Sequence, residues 1–169
     1  MIYEASDDSF LLKKYIKKYA KGKVLDVGTG SGVLAKEALK YTKDVIASDV
    51  QDLKLKGVKF IKSDLFENIK SKFDLIIFNP PYLPKDERED LESALVTTGG
   101  RKGYEVIEGF LKDLKKHLKE NGKCLIVFSS LTDKNKVDSL IEEDELRFKC
   151  LEKKKLFFEE LYVYLILKR

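Results

Sequence analysis

Short apolar runs alternate with stretches of helical spacing along most of this chain, and the alternation stops before its end. KVLDVG (23–28), KDVIASD (43–49), GVKFIKSD (57–64), KFDLIIF (72–78) and KCLIVFSS (123–130) have the length and residue types of buried strands. Residues 9–20, 31–42, 103–120 and 133–143 place apolar side chains at helical spacing, and Asn121-Gly122 is the expected stop of the third helix. Strands joined by helical crossovers pair in parallel and bury both faces. RFKCLEKKKLFF (147–158) and LYVYLILKR (161–169) have no helix between them, only a turn expected near Glu159-Glu160. They are expected to form an antiparallel pair at one edge. The expected fold is α/β: a seven-stranded, mostly parallel sheet with helices on both faces and an antiparallel C-terminal strand pair. With 169 residues it is expected to be a single domain, 1–169.

Composition narrows the classes of function. No run approaches the roughly 20 apolar residues of a membrane span, so no membrane partner is expected. The opening MIYEASDDSF is acidic and lacks the order of a signal peptide, which makes the expected location cytoplasmic. A net charge of +4 does not by itself imply nucleic acid, because the lysines are scattered among acids. The lysine-rich LLKKYIKKYAKGK (11–23) reads as a helix with Leu, Tyr and Ile facing the core. Cys124 and Cys150 have no metal-binding spacing and are expected to be small buried hydrophobes. The one histidine, His117, is expected on the surface at a helix end, and with one histidine neither a Ser-His-Asp triad nor a histidine-rich zinc site is expected. No metal is expected.

In a sheet of this kind ligands bind at the carboxyl ends of the strands. The first strand end, VLDVGTGSGVLA (24–35), carries Gly28, Gly30 and Gly32. Glycines there let the backbone turn tightly and approach a ligand. The spacing G-x-G-x-G lacks the third glycine of a dinucleotide fingerprint, and no Lys-Ser/Thr follows as in a phosphate loop. Asp49 ends the second strand, 21 residues after Gly28, the distance expected of an acid that accepts from ribose hydroxyls. Asp64 ends the third strand and Leu65 follows it; the pair suits an exocyclic amine and an adenine face. Asp26 lies inside a nearly buried strand and needs partners, which a cationic amino group would supply.

These residues resemble the cofactor site of the class I S-adenosylmethionine-dependent methyltransferases, and the likeness extends over nearly the whole chain, including the terminal strand pair. It implies a Rossmann-like fold and S-adenosyl-L-methionine as cofactor. It further implies that the loop Gly28-Thr29-Gly30 approaches the methionine part, with Asp26 behind it. Asp49 is placed on the ribose, and Asp64 with Leu65 on the adenine. A sulfonium ligand has no pyrophosphate, which agrees with the missing third-glycine register.

The fourth strand end reads DLIIFNPPY (74–82). Pro80 and Pro81 lack N–H groups and fix φ, and Pro81 holds Pro80 extended. The Asn79 side-chain oxygen and the Pro80 carbonyl are thereby two acceptors suited to a planar –NH2 group. Tyr82 offers a ring against which that group can stack. Amide and aromatic amines are poor nucleophiles; holding both N–H bonds aims the lone pair, and the hydrogen bonds strengthen as charge builds on nitrogen. NPPY is similar to the motif of HemK-type protein glutamine methyltransferases, and also to that of adenine-N6, cytosine-N4 and some guanine-N2 methyltransferases. On this reading Asn79, Pro80 and Tyr82 are catalytic, Asn79 also faces the cofactor, and Asn79, Pro80, Pro81 and Tyr82 hold the substrate.

Two further stretches favour a protein substrate. YEASDDSFLL (3–12) resembles the start of the archaeal and eukaryotic branch of these glutamine methyltransferases, which modify the Gly-Gly-Gln loop of class I release factors; there it closes over the cofactor, implying a lid at 1–12 and Ser9 near the cofactor. On the residues alone, Ser6 or Asp7 equally reads as a helix cap. TTGGRKGYEVIEGFL (97–111) resembles the loop after NPPY in that branch, and the irregular segment 83–101 reads as a substrate-side flap. Ala5 and Tyr104 depart from the proline and arginine common there. The branch also implies a small zinc-binding activator protein as heterodimer partner, and GVKFIK (57–62) reads as an exposed edge. The expected reaction is N5-methylation of the glutamine in a release factor. The alternatives are an N-methyltransferase of tRNA, rRNA or DNA bases, a lysine methyltransferase, and a cofactor-binding scaffold.

Overall fold

Seven strands form one sheet in the order β3-β2-β1-β4-β5-β7-β6 in the computed structural model, which describes residues 6–169. The strands are β1 (Lys23–Val27), β2 (Asp44–Asp49), β3 (Lys59–Lys62), β4 (Phe73–Phe78), β5 (Leu118–Ser129), β6 (Leu146–Lys155) and β7 (Glu160–Lys168). The first five pair in parallel, and β7 lies antiparallel between β5 and β6. The expected sheet is thus the observed one. Strand order reverses between β1 and β4, so the crevice for a ligand opens above those two ends. Residues 1–5, including Ala5 and the start of the expected lid, lie outside the described residues.

Alternation along the strands divides the core. Leu25, Ile76, Phe78, Ile126 and Phe128 face helices α4 (Glu105–His117) and α5 (Lys134–Glu143). Val24, Leu75, Ile77, Leu125 and Val127 face α1 (Asp7–Tyr19) and α2 (Val33–Ala38). Both faces of the central strands are therefore dry, which is why they read as continuous apolar runs.

Several boundaries differ from expectation. The third helix ends at His117 rather than at Asn121-Gly122, and β5 begins at Leu118. Gly122 sits in a register shift against β4, where an added Cβ would lie 2.7 Å from the Phe73 carbonyl oxygen; its glycine serves the bulge, not a helix cap. His117 is not a solvent-facing dipole partner. Its ring stacks on Phe66 at 4.3 Å, and its two nitrogens reach the carbonyls of Asp113 and Ile69, each at 2.9 Å. Helix α2 stops at Ala38 because the next turn tightens to three-residue bonds, Lys40 N to Glu37 O and Tyr41 N to Ala38 O. Cys124 is buried, whereas Cys150 is only half-buried. A short helix, α3 (Leu91–Thr97), interrupts the segment expected to be irregular.

Candidate active site

A cavity of about 610 Å³ opens at the carboxyl ends of the parallel strands, within the size range of small-molecule sites. Gly28 and Gly30, Asp49, Asp64 and Leu65, and the run Asn79-Pro80-Pro81-Tyr82 all line it. Four strand ends, spread along the chain from Gly28 to Tyr82, thus meet on one wall. Ser9, Asp26 and Thr29 stand behind that wall rather than on it.

The turn after β1 is built to stay open. Gly28 and Gly30 adopt φ of +60° and +51°, a region side chains avoid, and the ring of Phe78 lies 3.5 Å from where a Cβ on Gly28 would sit. Asp49 closes the turn from β2: one carboxylate oxygen accepts from the Gly30 N–H at 3.0 Å and the other from the Gln51 N–H at 3.0 Å. Asp26 supports the turn from within. Its Oδ2 accepts from the Thr29 hydroxyl at 2.6 Å and from the Ala35 N–H at 3.0 Å, while Oδ1 is buried without a partner. Burial pushes the Asp26 carboxyl up to about 7, against the pull of Thr29 and Ala35, and the Asp49 charge adds to the rise. An unpaired acceptor in a dry strand is a place for a cation. Leu65 holds φ of +47°, rare for a branched apolar residue, with the Ser63 hydroxyl donating to its carbonyl at 3.0 Å. That backbone turns the Leu65 side chain into the cavity wall.

The end of β4 is held by the first turn of α1 and by Thr132. Asn79 Nδ2 donates to Ser9 Oγ at 3.0 Å, and Asn79 Oδ1 is buried without a partner. The Tyr82 hydroxyl donates to Asp8 Oδ2 at 2.8 Å, and the Tyr82 carbonyl accepts from the Thr132 hydroxyl at 2.8 Å. Asp8 is the residue that sequence reasoning missed. In an acidic segment before an apolar run it looks like helix capping, yet Ser6 makes no side-chain cap, and its hydroxyl donates to Asp8 Oδ1 at 2.7 Å. The signal that could have found it is burial: two adjacent acids begin α1, and only Asp8 is buried.

Over the opening lies the segment 83–104. It is stitched back on itself by Leu83 N to Thr97 O and Gly99 N to Leu83 O, both 2.9 Å. Glu89 accepts from the hydroxyls of Ser93, Thr97 and Thr98. None of α3 is buried; Leu91 and Leu95 line the cavity and remain largely exposed.

A doubly wound sheet with a glycine turn, acids at the next two strand ends and NPPY at the fourth defines a class I methyltransferase. The methyltransferase small domain model matches residues 5–157. A Methanocaldococcus jannaschii protein assigned as a protein N5-glutamine methyltransferase is 34% identical over 176 residues, covering 96% of this chain and 89% of that one. The release factor glutamine methyltransferase of Buchnera aphidicola is 31% identical over 156 residues, covering 79% of this chain but 56% of its own length; the chain spans about half of such bacterial relatives. The solved structure of the E. cuniculi Mtq2–Trm112 complex, responsible for methylation of the eRF1 translation termination factor, shares the fold with a TM-score of 0.82, 24% identity and 99% coverage of both chains. The chain belongs to the methyltransferase small domain family and is a methyltransferase of the HemK type. No helix among the described residues is long and apolar enough to cross a membrane.

Proposed function

We propose that this protein uses S-adenosyl-L-methionine to methylate N5 of the glutamine in the Gly-Gly-Gln loop of a class I release factor. The observation that carries the reading is the buried, partnerless Oδ1 of Asn79 at the end of β4, beside Pro80 in the cavity wall. A buried acceptor without a donor costs stability in the free protein, and a ligand N–H that reaches it recovers that cost.

The residues present fit the cofactor. Asp26 Oδ1 offers an anionic acceptor behind the glycine turn. Asp49, Asp64 and Leu65 line the neighbouring strand ends, where ribose hydroxyls and an adenine would lie. When bound, the cofactor supplies an electrophilic methyl on a sulfonium. Asn79 Oδ1 and the Pro80 carbonyl take one N–H each of the glutamine amide, and the Tyr82 ring lies against its plane. Both hydrogen bonds strengthen as the nitrogen becomes positive, so they favour the transition state. The nitrogen then gives up one proton, which its methylated cationic form makes acidic.

The known N-methyltransferase motifs also serve base amines, but the relatives similar over the greatest share of this chain carry glutamine methyltransferase names, and the mouth beside NPPY is lined by Leu91 and Leu95 rather than by a row of cations. A small zinc-binding activator protein is proposed as partner, seated on the edge strand β3. A lid role for residues 1–12 and a single domain over 1–169 complete the proposal. The test is methyl transfer from isotope-labelled cofactor, with a release factor and bulk RNA offered in parallel, with and without the activator. Label on the Gly-Gly-Gln glutamine is the expected result. Label on RNA alone would move the substrate to a nucleobase.

A further inference from the structure

Large apolar side chains left exposed on a fixed backbone mark a place where another molecule is met. Phe157 and Phe158, in the turn between β6 and β7, are 90% and 87% exposed, and their rings meet edge to face at 4.6 Å. The turn that carries them is braced. The Leu156 N–H donates to the Glu159 carbonyl at 2.8 Å across it, and Lys155 pairs with Glu160 at its base. The Glu160 N–H donates to Ser130 Oγ at 3.0 Å, and Lys154 Nζ donates to Asp7 of α1 at 3.2 Å. The two rings add nothing to this chain's own core.

Topology puts the turn beside the active site. Strand β7 runs antiparallel to β5 with Leu161 opposite Ser129, so the turn projects from the same end of the sheet as the strand ends that form the cavity. A short 3-10 helix, Ser130–Thr132, joins the two places. Its first residue accepts from Glu160 at the turn, and the hydroxyl of its last donates to the Tyr82 carbonyl of NPPY at 2.8 Å. Between them, half-exposed Leu131 lines a groove with Leu83, Pro84 and Arg88 at the base of the flap. Exposed apolar side chains therefore mark the rim at the turn, at the 3-10 helix and at Leu91 and Leu95 of the flap.

We propose that Phe157 and Phe158 anchor the folded body of the protein substrate while its loop delivers the glutamine to Asn79 and Pro80. The proposal rests on the reading of a release factor as substrate. A cavity of about 610 Å³ takes a cofactor and a side chain but not the domain behind the loop, so that domain comes to lie on the rim. The two rings offer about 300–500 Å² between them. That falls short of the roughly 800 Å² per partner of a stable protein pair, so the turn does not by itself make a dimer of this chain. Added to a loop already held in the cavity, it supplies the kind of aromatic anchor on which binding energy concentrates. The activator proposed for β3 would sit at the opposite edge of the sheet from β6. Lysines precede the rings and Glu159 and Glu160 follow them, a mixed field that does not favour a phosphate backbone.

The test sets the double variant Phe157→Ser with Phe158→Ser against the wild-type protein on two substrates, the whole release factor and a short peptide containing Gly-Gly-Gln. KM for the release factor is expected to rise about tenfold or more, as it does when an aromatic anchor is truncated. The kcat, the KM for the peptide and the cofactor affinity by calorimetry stay within about twofold. Titration of the release factor into the enzyme with the demethylated cofactor present reads the same loss of affinity without turnover. Tyr41→Ser removes an exposed aromatic ring that precedes β2, at the amino ends of the strands, and is expected to leave every value unchanged. An unchanged KM and dissociation constant for the release factor in the double variant overturns the proposal, and label on the glutamine by the wild-type protein then still upholds the substrate reading. A rise shared equally by the peptide or by Tyr41→Ser, or a loss confined to cofactor affinity, overturns it as well. A wild-type protein that labels RNA and not the release factor contradicts the substrate reading, and the proposal falls with it.

Discussion

The two walls of the cavity are held by opposite means. On the β1–β2 side the chain bonds to itself: Asp49 to the Gly30 N–H, Thr29 to Asp26, and the Thr29 N–H to the Ser48 carbonyl at 2.9 Å. Asp26 and Ser48 there are buried. On the opposite side α3 buries none of its residues and is held by Glu89 and a few backbone bonds at its base. A small ligand of fixed shape suits the first wall. The second is suited to a loop that arrives on another macromolecule and must be accommodated. Asn79 stands at the seam, its Nδ2 tied to Ser9 of α1 and its Oδ1 buried without a partner.

The largest expected effect comes from breaking that seam. Asn79→Ala lowers kcat for methyl transfer by about 10²–10³-fold, the usual consequence of losing one preorganised transition-state hydrogen bond. Cofactor affinity by calorimetry is expected to change little, and a large loss there would assign Asn79 to the other wall.

Asp49→Ala sharpens the contrast from the rigid side. It removes both the proposed ribose acceptor and the brace on Gly30, and cofactor binding weakens by about 1–3 kcal/mol, the size of a charge-assisted hydrogen bond. An unchanged dissociation constant would take Asp49 out of the site.

A smaller effect follows from Asp26. Its carboxyl is raised from 3.8 to about 7 in the folded chain. Between those values the folded state holds a proton that the unfolded state has lost, so the free protein loses stability as pH rises through about 7 and levels off above it. A cationic ligand needs the ionised form, so cofactor affinity should strengthen by about tenfold from pH 6 to pH 8. Calorimetry in buffers of different ionisation heat should detect the proton released below pH 7; a flat profile would break the link between Asp26 and the ligand.

The smallest effect belongs to the flap. Leu91 is 86% exposed, so Leu91→Ser with Leu95→Ser is expected to leave the thermal midpoint almost unmoved, within about 0.5 kcal/mol of stability. The same double variant is expected to raise KM for the release factor several-fold. A drop in stability instead would show the flap to be packed as firmly as the opposite wall.

What could be read from the sequence follows the same division. The parallel strands, the glycine turn, Asp49, Asp64 and NPPY were legible because each is a local pattern at a strand end. Contacts between distant segments were not: Ser9 meets Asn79, and Asp8 meets Tyr82, only after α1 has docked against α2 and β5. Asn121-Gly122 misled because the same dipeptide that stops helices also fits a bulge, and only the register against Phe73 separates the two. His117 misled because its place at a helix end says nothing of Phe66, fifty residues earlier, on which its ring stacks. Helix α3 escaped notice because its 7 residues make barely two turns, too short a run for the Leu91, Ala94 and Leu95 spacing to stand out as a period.

The central claim is that Asn79 and Pro80 together hold a planar amide. Its most direct test offers the enzyme two release factors, the natural one and a variant with the Gly-Gly-Gln glutamine replaced by lysine, and locates any labelled methyl by fragment mass spectrometry. Label on the glutamine nitrogen and none on the lysine is the predicted result. Transfer to the lysine with equal efficiency would contradict it, because an ammonium-derived nucleophile has no planar pair of N–H bonds for those two oxygens to hold.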